Sequence, residues 1–225
     1  MKNESVKSLV ESLGQKYSEA LRIDLSTEND KEVFKWFLAS LLFGAPITES
    51  SVIKTYECFE NHGVLTLKKI VDTGWDGLVK ILDEGSYARY DFKTADKLLE
   101  VMHSLTEKYR GSLDEVHVEA SDARDLEKRL KALGKGVGDV TVSIFLRELR
   151  GVWRKADPYP TPLVVEAAKQ LGIVKKEATV EDALKQLKVF WARNEFSGKS
   201  FVNFETALLR LGKDYLRKGK SPPFL

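Results

Sequence analysis

Between Val33 and Leu42 the chain reads Val-Phe-Lys-Trp-Phe-Leu-Ala-Ser-Leu-Leu, with Lys35 and Ser40 as the interruptions. A helix that is apolar on every side has to be covered on every side, so this stretch predicts a helix at the centre of a bundle. It falls well short of the ~18 apolar residues that a membrane span needs. Thr27 is the expected cap, and Gly44-Ala-Pro46 supplies the stop.

Other helices are then expected to wrap this one, and the rest of the sequence offers them. A first helix is predicted over Ser5 to Leu21, with Val6, Leu9, Val10, Leu13, Tyr17 and Leu21 on one face. Thr48 opens another, carrying Val52, Ile53, Tyr56 and Phe59 and ending near His62-Gly63. Thr66 caps a short helix, and Trp75 to Leu82 supplies a further one. Asp91 caps a long one through Ala95, Leu98, Leu99, Met102 and Leu105. Thr161-Pro162 is an N-cap followed by proline at the first helical position. Thr179 with Asp182 opens a helix bearing Ala183, Leu184, Leu187, Phe190 and Trp191, and Phe201 to Leu211 forms the last. Period-two alternation is not sustained anywhere; Val116-His-Val118 is too short to build a strand on. The expected fold class is all-α.

Composition narrows the chemistry. Apolar residues at 43% and charged residues at 31% describe a soluble globular chain. The net charge of +2 is too small to argue a nucleic-acid partner by itself, so local clustering has to carry that case. Cys58 is the single cysteine, which excludes an intrachain disulfide and a cysteine-ligated iron-sulfur cluster. Cys58 and His62 at i, i+4 give two ligands without partners, so neither a metal nor a cofactor is expected. With no apolar leader run, the expected location is cytoplasmic, nucleoid-associated in a prokaryote.

The functional signal lies between Ser121 and Asp157. Ala123, Leu126, Leu130 and Leu133 repeat at helical spacing with Ser121 as N-cap, and Val140, Ile144, Phe145 and Leu149 repeat it again. Joining them is Leu133-Gly-Lys-Gly-Val-Gly138. Its glycines permit positive φ and close approach of another molecule, and the amides opening the second helix form a site for a phosphate. A dinucleotide reading fails, because the spacing is G-x-G-x-G and a helix precedes it. The plainer reading is a helix-helix turn.

Helix, L-x-G-x-G, helix, then Asp157 in a proline-rich loop resembles the helix-hairpin-helix DNA glycosylases, the endonuclease III superfamily. The resemblance runs more weakly from about Val33 to Tyr215. It implies a two-lobed helical fold. Residues 30–150 would form a helical barrel containing the motif at about 121–149, and residues 1–29 and 151–225 a second lobe. It places the hairpin, Gly134, Lys135, Gly136, Val137 and Gly138, on a DNA phosphate, with hairpin and aspartate at a cleft between the lobes. The loop holding Tyr87, Arg89 and Tyr90 would contact DNA, as would Lys213, Arg217 and Lys218 near the C-terminus. For those cations and tyrosines the alternatives are a solvated face and core packing. Tyr17, Trp36, Trp153 and Tyr159 each offer a stacking surface for a base, or fill core.

The same resemblance makes Asp157 the catalytic residue, where the residues alone allow a simple Asp-Pro turn. Breaking an N-glycosidic bond develops positive charge on the sugar, which a fixed carboxylate stabilises while it activates water. The family's lysine, where present, aligns with Val140, which forms no Schiff base. A valine there is expected to line an apolar wall. The implied activity is a monofunctional DNA glycosylase, monomeric, acting on double-stranded DNA with a damaged or mismatched base. A non-catalytic helix-hairpin-helix DNA-binding protein and a helical protein-interaction domain are the alternatives.

Overall fold

A computed structural model describes residues 3–27 and 29–222. The chain divides into two compact units, Leu21–Pro158 and the combination of Met1–Ala20 with Tyr159–Leu225. Residues 21–29 and 151–158, expected in the second lobe, therefore belong with the central unit. Among the described residues there is no strand; the fold is all-α.

The central unit is built on α3 (Asp30–Phe43), following α1 (Asn3–Leu13) and α2 (Tyr17–Ala20) of the other unit. Trp36, Leu38, Ala39, Leu41 and Leu42 of α3 have no exposed surface. Each large one contributes about 1.5–3 kcal/mol on burial. Its cap is Asn29, whose side chain accepts from the Lys31 amide, where Thr27 was expected. Then come α4 (Glu49–Asn61), α5 (Leu67–Glu84), α6 (Asp91–Tyr109), α7 (Leu113–Glu119), α8 (Ala123–Lys131) and α9 (Asp139–Glu148). Each packs on the next, and α9 returns to α3, closing a ring. The Trp36 indole N–H seals the closure by donating to the Phe145 carbonyl at 3.0 Å, and the Phe37 and Phe145 rings meet edge to face.

Two features of the central unit have local causes. Gly74, at φ 66° and ψ 177°, breaks α5 in two, which is the pair of short helices that the sequence predicts. The segment around Val116 is helix α7, capped by Ser112, where no element was expected. Its seven residues are too few to show a period.

The carbonyls at the end of α3 are buried, and side chains satisfy them. Lys97 Nζ donates to the Leu41 carbonyl at 2.6 Å and the Tyr87 hydroxyl to that of Leu42. Burial pulls the Lys97 ammonium down to about 8.

In the other unit α1 packs on α12 (Phe201–Arg210), with α10 (Pro162–Gln170) and α11 (Val180–Asn194) completing the core. The predicted continuous helix over Ser5 to Leu21 is broken at Gly14. A Cβ there would lie 2.8 Å from the Asn203 carbonyl, and Asn203 Nδ2 donates to the Gly14 carbonyl at 2.8 Å. Arg210 donates to the Leu13 carbonyl at 2.9 Å and lies over the Tyr17 ring, so α12 dictates where α1 stops.

Candidate nucleic-acid interface and catalytic carboxylate

The hairpin between α8 and α9 is pressed onto α6. A Cβ on Gly134 would meet Val101 Cγ2 at 2.8 Å, so nothing larger than glycine fits without displacing α6. The Lys135 amide donates to Glu100 Oε1 at 3.0 Å while its side chain stays exposed. Gly136 takes φ +89°, open to glycine and strained for other residues, and rests over the stem of Lys97. Val137 departs from its predicted role. Its side chain is buried and its amide donates back to the Gly134 carbonyl at 3.1 Å, so it plugs the turn and has no donor for a phosphate.

Gly138 is the N-cap of α9, and no side chain caps that end. The first amides of a helix lack intrahelical partners, and a helix N-terminus favours an anion. A Cβ on Gly138 would meet nothing within 4 Å, so the approach is open. Asp139 opposes an incoming phosphate, but Lys131 pairs with it at 2.9 Å and offsets that charge.

Asp157 is attached to α8 and to the segment just beyond α9. Arg124, in the first turn of α8, donates to the Asp157 carbonyl. Arg150, just beyond α9, donates from Nη1 to Asp157 Oδ1 and from Nη2 to the Pro158 carbonyl. The Arg150 side chain is 7% exposed and that of Asp157 39%, so a buried cation holds a carboxylate that solvent reaches. No helix N-terminus lies beside Asp157 in the sequence; α10 begins at Pro162. Sequence reasoning named Asp157 but missed Arg124 and Arg150. Their signal was slight: two arginines flanking the motif, among many surface cations.

Lys155, near Asp157 in sequence, donates from Nζ to the His117 and Val118 carbonyls at 2.7 and 2.9 Å, closing the C-terminus of α7. Val140 is 59% exposed and does not line a buried apolar wall, because it lies in the first turn of α9, on the open end of the helix.

The remaining candidates divide. Tyr87 is 1% exposed with its hydroxyl bonded to α3, so it is core and offers no stacking face. Arg89 is exposed and lies over the half-buried Tyr90 ring at 5.5 Å. Phe92 and Trp75, which the sequence reading passed over, are 56% and 38% exposed with ring centroids 5.1 Å apart. Trp36 is sealed in core. Trp153 is too, stacked on the His117 ring at 4.7 Å.

In the other unit, Tyr17 is buried and Tyr159 half-buried. Lys213 lies on a π-helical turn over Leu211–Tyr215, 3.4 Å from the Tyr17 hydroxyl, and both Lys213 and Lys218 pair with Asp214. Arg217 is exposed. Among the described residues no three or more His, Cys, Asp or Glu side chains gather as a metal site, and no helix is long and apolar enough to cross a membrane.

No protein-family model matches the sequence, and no curated protein matches it. A solved structure does. The 3-methyladenine DNA glycosylase MagIII of H. pylori, bound to 1,N6-ethenoadenine, superposes with a TM-score of 0.55 over 92% of this chain and 100% of that one, at 14% identity. At that identity the likeness is one of fold: the chain is folded like that DNA glycosylase.

Proposed function

We propose that the protein is a monofunctional DNA N-glycosylase. It flips a damaged or mismatched base out of duplex DNA and hydrolyses the N-glycosidic bond, leaving the strand intact. The observation that carries this reading is the attachment of Asp157 to both flanks of the hairpin motif, through Arg124 on α8 and Arg150 just beyond α9. A phosphate held at the start of α9 then fixes the DNA backbone relative to the carboxylate.

In this scheme the hairpin supplies sequence-independent affinity, which offsets the few kcal/mol that flipping costs. Asp157 stabilises the positive charge developing on the sugar and orients the attacking water. Arg89, with Tyr90 beneath it, adds a cation and a ring for the backbone or an unstacked base. The exposed Arg217 fits a phosphate contact, and Lys213 and Lys218 contribute less because Asp214 shares their charge. The reading requires no partner subunit, and a monomer is proposed.

The test is base release from duplexes carrying single lesions, with methylated purines and 1,N6-ethenoadenine, named by the structural relative, first in the panel. Release of at least one base above the spontaneous rate is expected. A second reading has its own observation: the Arg150–Asp157 ion pair also suits a loop anchor in a non-catalytic DNA-binding protein. Salt-dependent duplex binding with no release from any lesion would favour that reading.

A further inference from the structure

The loop carrying Asp157 has little means of holding itself. Pro158, Pro160 and Pro162 have no N–H to donate, so three of the five residues after Asp157 add no backbone bond as donors. The Asp157 amide makes a short-range bond to the Lys155 carbonyl at 3.0 Å, which sets a turn but not the direction of the carboxylate. That direction comes from outside the loop. Arg124 takes the Asp157 carbonyl and is itself steadied by Glu127 at 2.7 Å. Arg150 bridges two acceptors, the Asp157 carboxylate and the Pro158 carbonyl, with its two terminal nitrogens.

We infer that Arg150 is a positioning residue for the reaction: its guanidinium fork aims the Asp157 carboxylate by holding it and the following carbonyl together. This rests on the reading of Asp157 as the catalytic carboxylate. Two features set Arg150 apart from an ordinary surface pair. Its side chain is almost wholly buried while its partner's is not, so the rigid member of the pair is the arginine. Its planar fork also meets two acceptors at once, which a lysine ammonium on a flexible stem does not reproduce.

The experiment is single-turnover base release by the full chain. It uses the lesion duplex on which the parent is fastest and reads the limiting rate and the half-saturating protein concentration separately. Arg150→Met should lower the limiting rate about 100-fold, the size of loss expected for a misplaced reacting group. The half-saturating concentration should stay unchanged, because the hairpin is intact. Arg150→Lys should recover part of the rate, reaching one acceptor but not both.

A normal limiting rate for Arg150→Met beside an inactive Asp157→Asn would overturn the role of Arg150 and leave that of Asp157 standing. Undiminished release by Asp157→Asn would instead remove the reading underneath. If Arg150→Met loses rate, affinity and thermal midpoint together and Arg150→Lys rescues none of them, Arg150 anchors the fold and the inference fails.

Discussion

The carboxylate of Glu100, on α6, accepts the backbone amide of Lys135, in the hairpin, at 3.0 Å. One hairpin donor is thereby committed to the protein, and the amides opening α9 are left to meet a phosphate. Gly138→Glu should fold normally, since a Cβ there meets open space, yet weaken binding to all duplexes alike. Lys135→Ala should weaken binding mildly and lower the salt slope by roughly one unit. Fluorescence anisotropy across a salt series measures both; unchanged affinity in both variants would reduce the hairpin to a turn.

Gly134 is where the hairpin seats on the fold. A Cβ 2.8 Å from Val101 Cγ2 and 3.4 Å from the Val101 amide has nowhere to go, because a β-branched side chain on a helix has one strongly preferred rotamer. Gly134→Ala should therefore cost about 1–3 kcal/mol of stability, as overpacking does. Gly138→Ala should cost far less. Urea denaturation of the pair tests the contrast.

Asp157→Asn should abolish base release while leaving affinity for lesion DNA intact, because the carboxylate serves the transition state. The amide keeps an oxygen that can accept from Arg150, so loop geometry is preserved. Turnover equal to the parent would make Asp157 a turn residue.

Strand cleavage needs a free amine at the sugar; Lys135 is exposed in the hairpin but is assigned to a phosphate in the proposed function, and the other candidates are spent or absent. Val140 has no amine, and Lys155 Nζ holds two α7 carbonyls. Borohydride should trap no protein–DNA adduct, and abasic strands should break only after alkali. An adduct lost in Lys155→Ala would show that the amine leaves α7 when DNA binds.

Lys97 makes stability pH-dependent in an unusual direction. Its folded pKa of about 8 lies below its unfolded value, so the unfolded chain binds more protons between those limits. The cost of burying the charge is present in full below pH ~8 and is relieved as pH rises toward ~10.5, so stability rises through that window. Relative to Lys97→Met, the parent should gain about 2 kcal/mol between pH ~7.5 and ~10. Denaturant melts at those pH values give the difference; a flat difference would mean that Lys97 titrates normally.

Most of the fold was legible because α3, α4, α10 and α11 have apolar residues at helical spacing and ends marked by Thr, Pro or Gly. What escaped was fixed over long distances. The stop at Gly14 is imposed by Asn203, and the burial of Tyr87 and Lys97 follows from carbonyls on α3 that need partners. Aromatic residues near a proposed DNA loop look alike in sequence whether they stack on bases or cap a buried helix end. Asp157 was singled out by the family resemblance, as the aspartate in a proline-rich loop after the hairpin, and its catalytic role stays a proposal. Its arginine holders were not legible, because pairing between α8, α9 and the loop is a property of the folded arrangement.

Closure of the ring has a consequence for how the protein becomes active during synthesis. The bond from Trp36 to Phe145 spans 109 positions, so α3 emerges from the ribosome long before its final neighbour exists. Long loops are costly to close before their contacts reward it, which puts docking of α9 late. The amides proposed to meet a phosphate and the arginines that hold Asp157 lie on that late-arriving helix pair and its flanks. A nascent or truncated chain lacking α9 therefore has helices but not the phosphate site that the proposed function requires. The hairpin cut out as an isolated peptide would lose the α6 surface that seats it.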